Sequence, residues 1–277
     1  MLKRCLCLLL ALWLCVCCAC ANAAEMTLLA LNVGKADCLL LESGTTRYLI
    51  DTGSKDSWDI VAAALQKRGI THLSGVILTH TDKDHAGGAM SLAKSSIAID
   101  AWYASDYFTD GKRKKHPLVK AANKRDEDVT WLLGGDTLPL DGGTLTVLAP
   151  LQRDADKENN NSLVLRAESS AGSILLTGDM EFPEELTLLQ AGLLTHADVL
   201  KVAHHGEDDA TSVSLVQTVS PTLAVISTST AERPETPADS VIQLLESVGA
   251  QVVVTQDASE GILITLRDGA VTYALLP

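Results

Sequence analysis

Beyond its first 23 residues, the sequence has almost no cysteine. Six of its seven cysteines lie in that leading segment, and only Cys38 follows it. A network of disulfides of the kind that stabilises small secreted domains is therefore excluded for the rest of the chain. Cys38 follows Asp37 in a strand-like pattern, which predicts a buried free thiol.

Positive charge is also scarce. The formal net charge is −13, and it becomes −15 if the leading segment is removed, because that segment carries two positive charges, Lys3 and Arg4, and no negative one. Such a surface offers no general attraction for nucleic acid, so a polyanionic substrate must be held locally. The only basic cluster is residues 112–116, where the context favours an ordinary solvated loop over a binding patch.

Long apolar runs are confined to the start of the chain. A positively charged beginning precedes an apolar stretch over residues 6–19, and the sequence Ala-Asn-Ala follows at residues 21–23. A membrane span needs about 20 residues, so this stretch is short for one. The pattern is typical of a cleaved signal peptide over residues 1–23 and predicts a secreted protein without a stable membrane span after cleavage. Acylation of Cys20 as a lipid anchor is the minor alternative.

No linker or low-complexity tract divides residues 24–277, which predicts a single domain. Strand-like and helix-like patterns alternate, which indicates layers of sheets and helices without deciding the topology. Strands are predicted over residues 26–33, 38–42, 48–50, 75–79, 97–102, 144–148, 163–167, 173–176, 199–202, 223–226, 252–255, 261–266 and 271–275, and helices over residues 56–68, 85–93, 181–190, 212–219 and 238–248. The polar segment 109–128 predicts a surface insertion.

Four potential metal ligands follow the short strand predicted at residues 75–79. They are His80, Asp82, Asp84 and His85. Imidazole nitrogen and carboxylate oxygen are the ligands that zinc, manganese and iron take in proteins. Gly87 and Gly88 come next and permit a close approach of the backbone. Two histidines alone would suit an ordinary polar loop, whereas four such residues together predict a metal site.

Three further strand ends carry side chains of the same kind. Asp51 follows one apolar strand and Asp179 follows another, while His204 and His205 follow a third. A single aspartate after a strand is a weak indication, because Asp favours turns in any case. In combination with residues 80–85, however, these strand ends are what a metal site at one edge of a sheet requires.

The motifs resemble those of the metallo-β-lactamase superfamily, and more closely those of the hydrolase domain of ComEC-type DNA-uptake (competence) proteins. Residues 80–85 match the superfamily signature His-x-His-x-Asp-His, with Asp82 in place of the second histidine. Further matches lie, in the same order as in the family, at residues 32–37, 49–53, 78–80, 160–165, 175–179 and 200–206. The resemblance implies an α/β fold, a four-layer αββα sandwich, with two divalent metal ions at one sheet edge.

The resemblance also assigns roles to the residues. It implies six metal ligands, which are His80 and Asp82 for the first ion, Asp84, His85 and His204 for the second, and Asp179 as the bridge. His205 is then left at the open face as a proton donor or anion contact, although the sequence does not decide which of the two adjacent histidines is the ligand. Asp51 matches a buried carboxylate that orients the ligand loop.

The sequence departs from the superfamily pattern at two positions. Asn161 stands where the superfamily usually supplies a further histidine, as in the ComEC-like pattern, and it is expected beside the ligands. With Asp82 also replacing a histidine, the first site is rich in oxygen and short of imidazole. Manganese or magnesium therefore becomes a plausible occupant beside zinc.

These features predict a metal-dependent hydrolase that cleaves phosphodiester bonds in a small molecule or in nucleic acid, with no protein partner evident. A bound divalent ion lowers the pKa of water from about 15.7 to about 7 and so supplies a hydroxide nucleophile. Asp84 and His205 are the predicted catalytic residues. The alternatives are a non-catalytic metal-binding module on the same fold and a hydrolase of another ester, thioester or lactam.

Overall fold

The computed structural model describes residues 25–277. The predicted signal peptide, its cleavage site and Cys20 lie outside the described residues and stay predictions. Within residues 25–277, no helix is both long enough and apolar enough to cross a membrane. Cys38 is a buried free thiol, as predicted.

Strands and helices alternate along the described chain. The strands are β1 (Glu25–Leu31), β2 (Leu39–Ser43), β3 (Thr46–Ile50), β4 (His72–Leu73), β5 (Gly75–Leu78), β6 (Ala98–Ile99), β7 (Trp102–Ser105), β8 (Val129–Leu132), β9 (Thr137–Leu140), β10 (Gly143–Ala149), β11 (Val164–Ser169), β12 (Gly172–Leu176), β13 (Val199–Lys201), β14 (Leu223–Ile226), β15 (Gln251–Val254), β16 (Gly261–Arg267) and β17 (Ala270–Leu276). The α-helices are α1 (Trp58–Lys67), α2 (Lys83–Ala86), α3 (Ala89–Lys94), α4 (Pro117–Asn123), α5 (Phe182–Gln190), α6 (Val213–Val219) and α7 (Asp239–Ser247).

Two large sheets form the middle of the molecule. The first runs in the order β17-β16-β1-β2-β3-β5-β7-β8, and the second in the order β15-β14-β13-β12-β11-β10-β9. Successive side chains of a strand point to opposite faces of its sheet. In β1, Leu28 packs in the layer between the sheets, while Leu29 packs in the outer layer of the first sheet. Both faces are buried, which explains why these strands are apolar along most of their length.

Helices cover the outer face of each sheet. Apolar residues of α1, α3 and α4 belong to the same buried cluster as the outer face of the first sheet. Those of α5, α6 and α7 cover the second sheet in the same way. The architecture is therefore helix, sheet, sheet and helix, so the predicted four-layer αββα sandwich is confirmed.

Several parts of the fold differ from the sequence-based prediction. The helix predicted at residues 85–93 is two short helices, α2 and α3, and the strand predicted at 97–102 is divided between β6 and β7. The segment 109–128 is only partly a surface insertion, because it contains α4, whose Leu118 is buried against the first sheet. Strands β8 and β9 were not predicted. All of these elements are too short to show a clear periodicity.

The topology brings four strand ends to one edge of the sandwich. Strands β3 and β5 are parallel neighbours in the first sheet, and β12 and β13 are parallel neighbours in the second. The carboxyl ends of parallel neighbours lie at the same edge of a sheet. The residues that follow these four strands, which are the predicted ligands, therefore converge.

Candidate metal centre

The loop that carries the first ligands is held close to the neighbouring backbone. A Cβ atom added at Gly87 would lie 2.4 Å from the Lys55 nitrogen, and one added at Gly88 would lie 2.2 Å from the Thr52 oxygen. Neither distance is compatible with a side chain. The two glycines thus allow the close backbone approach expected from the sequence, and this approach fixes the position of α2.

Four side chains converge in what we call the quartet, which consists of Asp84, His85, Asp179 and His205. Each offers a ligand atom, and these atoms lie within 4.8 Å of one another. Asp179 Oδ2 lies 3.1 Å from His85 Nε2 and 3.3 Å from His205 Nε2. Asp84 Oδ2 lies 3.6 Å from His205 Nε2. Two imidazoles and two carboxylates at such distances could hold a divalent metal ion.

The second ring nitrogen of each quartet histidine is occupied by a fixed acceptor. His85 Nδ1 lies 2.7 Å from Asp51 Oδ2, and His205 Nδ1 donates to the backbone oxygen of Ser227 at 2.8 Å. Such contacts set the tautomer and direct Nε2 towards a metal ion. Asp51 also accepts the backbone N–H and the hydroxyl of Thr79, each at 2.8 Å. It therefore lies where the sequence placed an orienting carboxylate.

His80 lies on the other side of Asp179. Its Nε2 is 3.9 Å from Asp179 Oδ2 and 3.9 Å from Asp82 Oδ2. Its Nδ1 lies 3.0 Å from the Thr79 hydroxyl oxygen, which accepts from it because that hydroxyl donates to Asp51. Burial lowers the pKa of His80 to about 4. Nε2 is then an unprotonated atom, and both it and Asp179 Oδ1 are buried without a hydrogen-bond partner among residues 25–277.

Burial and charge together control protonation in the quartet. Burial alone would lower the pKa of His85, but Asp179 and Asp51 raise it well above its usual range. Burial opposes protonation of His205 as well, yet Asp179 raises its pKa to about 9. Burial would raise the pKa of Asp179, but His205 and His85 hold it well below its usual range. The carboxylates thus favour positive charge at this position, which is the charge that a bound cation would supply.

The two adjacent histidines occupy different environments. Both have left-handed backbone conformations, with φ of 46° at His204 and 56° at His205, so their side chains separate. His205 is completely buried in the quartet. His204 has 12% of its side chain exposed, and its Nδ1 lies 2.7 Å from Asp209 Oδ1. The resemblance assigned the ligand role to His204 without deciding between the two, whereas the geometry places His205 in the quartet and His204 beside Asp209.

Asn161 does not point at the ligands. Its amide receives the backbone N–H of Asp154 and donates to the backbone oxygens of Asp154 and Lys157, so it closes the loop before β11. The neighbouring Asn159 reaches the site instead, with its amide nitrogen 3.2 Å from His204 Nε2 and 3.0 Å from Glu181 Oε1. In a run of three asparagines, the sequence gives no signal that separates these roles.

A buried ion pair behind the quartet was also missed. Lys201 Nζ lies 2.8 Å from Asp37 Oδ2, and both side chains are almost completely buried. Asp37 Oδ1 in turn lies 3.8 Å from His205 Nδ1. Burial would raise the pKa of Asp37, but Lys201 and then His205 lower it. Asp37 and Lys201 both lie inside motifs that resemble the family. That resemblance was the one feature of the sequence that could have indicated the ion pair.

Comparison with known proteins agrees with this geometry. A family model described as the metallo-beta-lactamase superfamily matches residues 31–230. The chain belongs to the metallo-beta-lactamase superfamily. This superfamily consists in general of metal-dependent hydrolases.

The relatives of this chain include a ComE operon protein and a competence protein. The chain is 29% identical over 265 residues to ComE operon protein 3 of Bacillus subtilis, which covers 89% of this chain and 34% of that protein. It is 26% identical over 250 residues to the competence protein ComA of Neisseria gonorrhoeae, covering 89% of this chain and 33% of that protein. The resemblance to ComEC-type proteins is thus confirmed, and the chain spans about a third of the length of these relatives.

A solved structure shows the same fold. The metallo-beta-lactamase fold protein YhfI from Bacillus subtilis superposes with a TM-score of 0.55 at 14% sequence identity, and the match covers 87% of this chain and 99% of YhfI. At that identity the similarity concerns the fold alone. The arrangement of the metal centre is therefore argued from the residues of this chain.

Proposed function

We propose that this superfamily member is an exported, metal-dependent phosphodiesterase that acts on nucleic acid or on a smaller phosphodiester. The observation that carries the proposal is the quartet. In it, two imidazoles whose Nδ1 atoms are held by hydrogen bonds lie beside two carboxylates. The superfamily membership supports hydrolysis, and the competence relatives support a nucleic acid as the substrate. The signal-peptide pattern of residues 1–23 supports export.

The residues present fit two divalent cations. His85, His205 and Asp84 would hold one ion, His80 and Asp82 would hold the other, and Asp179 would contact both. The fit rests on the buried atoms without partners, His80 Nε2 and Asp179 Oδ1, which a cation would satisfy. When bound, the ions supply Lewis-acid activation of water and of the phosphoryl oxygens. Zinc and manganese both suit this mixture of imidazole and carboxylate.

His204 is the residue best placed to transfer a proton. Asp209 fixes its Nδ1, so Nε2 faces the open side of the centre beside Asn159. In this position a protonated His204 would donate to the leaving oxygen of the ester, while Asp209 stabilises the imidazolium. We therefore assign proton transfer to His204, and we assign metal binding to His205.

The test is hydrolysis of bis(p-nitrophenyl) phosphate by the purified mature protein, with bound metal measured in the same samples. We expect activity with zinc or manganese, its loss on chelation and its recovery when metal is restored. Asp84→Asn should lose metal and activity together, because it removes a charged quartet ligand without changing its size. The matched control is Asp257→Asn, which removes the charge of an exposed aspartate outside the centre.

The alternative is a metal-binding module without catalysis. It predicts the same metal content and the same loss of metal in Asp84→Asn, but no hydrolysis of any phosphodiester by the parent protein. We would therefore accept the binding module instead of the enzyme if fully metal-loaded protein hydrolysed neither bis(p-nitrophenyl) phosphate nor oligonucleotides.

A further inference from the structure

A groove of about 810 Å³ opens beside Asp84. Its walls include Lys35, Lys55 and Lys83, together with the side chain of Ile60. Lysine and arginine number only 22 in a chain with 35 acidic residues. Three lysines around one groove beside the metal centre therefore contrast with the negative net charge of the whole protein.

The three lysines differ in whether their charge is already paired. Lys55 and Lys83 are exposed, and neither has a carboxylate within 4.0 Å among residues 25–277. Lys35 Nζ lies 3.5 Å from both Asp84 Oδ2 and Glu207 Oε1. Lys35 is therefore already paired, and the unpaired positive charge of the groove comes from Lys55 and Lys83.

Three carboxylates also line the groove, and two of them have other functions. Asp84 belongs to the quartet, where a metal ion would take up its charge. Glu232 accepts the backbone N–H of Lys35 at 3.2 Å and lies against Gly34, so it fixes the wall. Asp56 and Glu232 still carry negative charge, so two acidic side chains oppose the three lysines. The groove is therefore net positive when the centre holds metal.

The basic cluster of residues 112–115 offers less free charge. Lys112 and Lys115 each lie within 3.5 Å of Asp110. Arg113 pairs with Asp106, and its guanidinium also lies 4.6 Å from the ring centre of Trp131. Most of the positive charge of residues 112–115 is thus paired with carboxylates or an aromatic ring close to the same loop.

We propose that the groove binds a phosphate group one or more positions along the strand from the scissile phosphodiester. Lys35 would contact the phosphate nearest the metal centre, and Lys55 and Lys83 would each contact one further phosphate. Ile60, which is 45% exposed, offers an apolar surface to a sugar or base. The substrate would then be an oligonucleotide strand rather than an isolated ester. This inference rests on the proposed phosphodiesterase function.

The experiment compares two substrates in one double variant, Lys55→Gln/Lys83→Gln. The ratio of kcat/KM for a short single-stranded oligothymidylate to that for bis(p-nitrophenyl) phosphate should fall about tenfold, because two phosphate contacts are lost. The dependence of oligonucleotide affinity on salt should weaken by about 1.4 in the log–log slope, at about 0.7 for each single-strand phosphate contact. Bound metal should match that of the parent protein.

The control is Lys94→Gln/Lys124→Gln, which removes two exposed lysines that do not line the groove. It changes net charge equally and should leave the substrate ratio unchanged. An equal fall in both double variants, or no fall in the groove variant, would overturn the subsite. Binding of labelled oligothymidylate to the Asp84→Asn protein, with and without the two groove substitutions, tests the groove even if the parent proves inactive. Failure of the subsite and failure of the proposed function are thereby distinguished.

Discussion

The two halves of the metal centre are built to different degrees. In the half with His85 and His205, the ligand atoms already converge and each imidazole is fixed through its second nitrogen. In the half with His80 and Asp82, the imidazole is buried but the carboxylate is half exposed, and their ligand atoms lie 3.9 Å apart. Preorganised ligands bind a metal ion more tightly, because less ordering is needed on binding. We infer unequal affinity, with the first ion more easily exchanged.

The largest expected effect separates the two adjacent histidines. His205→Gln should lose the tightly bound metal and all measurable hydrolysis, because it removes a buried ligand. His204→Gln should keep that metal and lose about 10²–10⁴-fold in kcat, the usual contribution of one acid–base group. Metal content and kcat are measured on the same samples of each variant.

The matched control for this pair is His196→Gln, an exposed histidine whose Nε2 lies 3.4 Å from Asp198. It should change neither metal content nor kcat. A His204→Gln protein that loses metal, beside a His205→Gln protein that keeps it, would restore the assignment made from the sequence.

That assignment shows where sequence reasoning reached its limit. The fold came from the family resemblance that the motifs carry, while the candidate ligands at the ends of apolar strands indicated a metal site at one edge of a sheet. The choice between His204 and His205 depends on two consecutive left-handed residues in one turn, and the modest enrichment of histidine in that conformation is too weak to predict such a pair. The difference between Asn159 and Asn161 likewise depends on a loop that closes on Asp154. Such details come from tertiary contacts.

An intermediate effect concerns the less ordered half of the centre. Burial, followed by the nearby charge of Asp84, raises the pKa of Asp82, so this position is crowded with negative charge. Asp82→His should replace an oxygen ligand by an imidazole and raise bound zinc from about one to about two ions per chain. Zinc is counted after dialysis against a weak chelator. An unchanged zinc count would mean that position 82 does not contribute to a metal site.

The smallest expected effect comes from a buried carboxylate outside the centre. Glu184 is only 7% exposed, and its Oε2 has no hydrogen-bond partner among the described residues. Burial, with a further contribution from Asp154, raises its pKa well above the usual range. Asp179 is buried to a similar degree, but two imidazoles hold its pKa low. The contrast shows that partners, rather than burial, decide which carboxylate stays charged.

Glu184→Gln should therefore stabilise the protein at alkaline pH. Above the pKa of the unfolded chain, the folded state keeps a proton that the unfolded state releases, so the stability of the parent falls as pH rises. Glutamine carries no such proton, and its advantage should be absent near pH 4 and should grow towards pH 8. A gain of about 1 kcal/mol would raise Tm by about 2–4 °C. Melting curves at both pH values, with metal present throughout, measure the difference.

Glu246→Gln removes an exposed charge on α7 and serves as the control. A gain of the same size at pH 4, or in the control, would show that Glu184 is not the buried, protonated group inferred from its contacts.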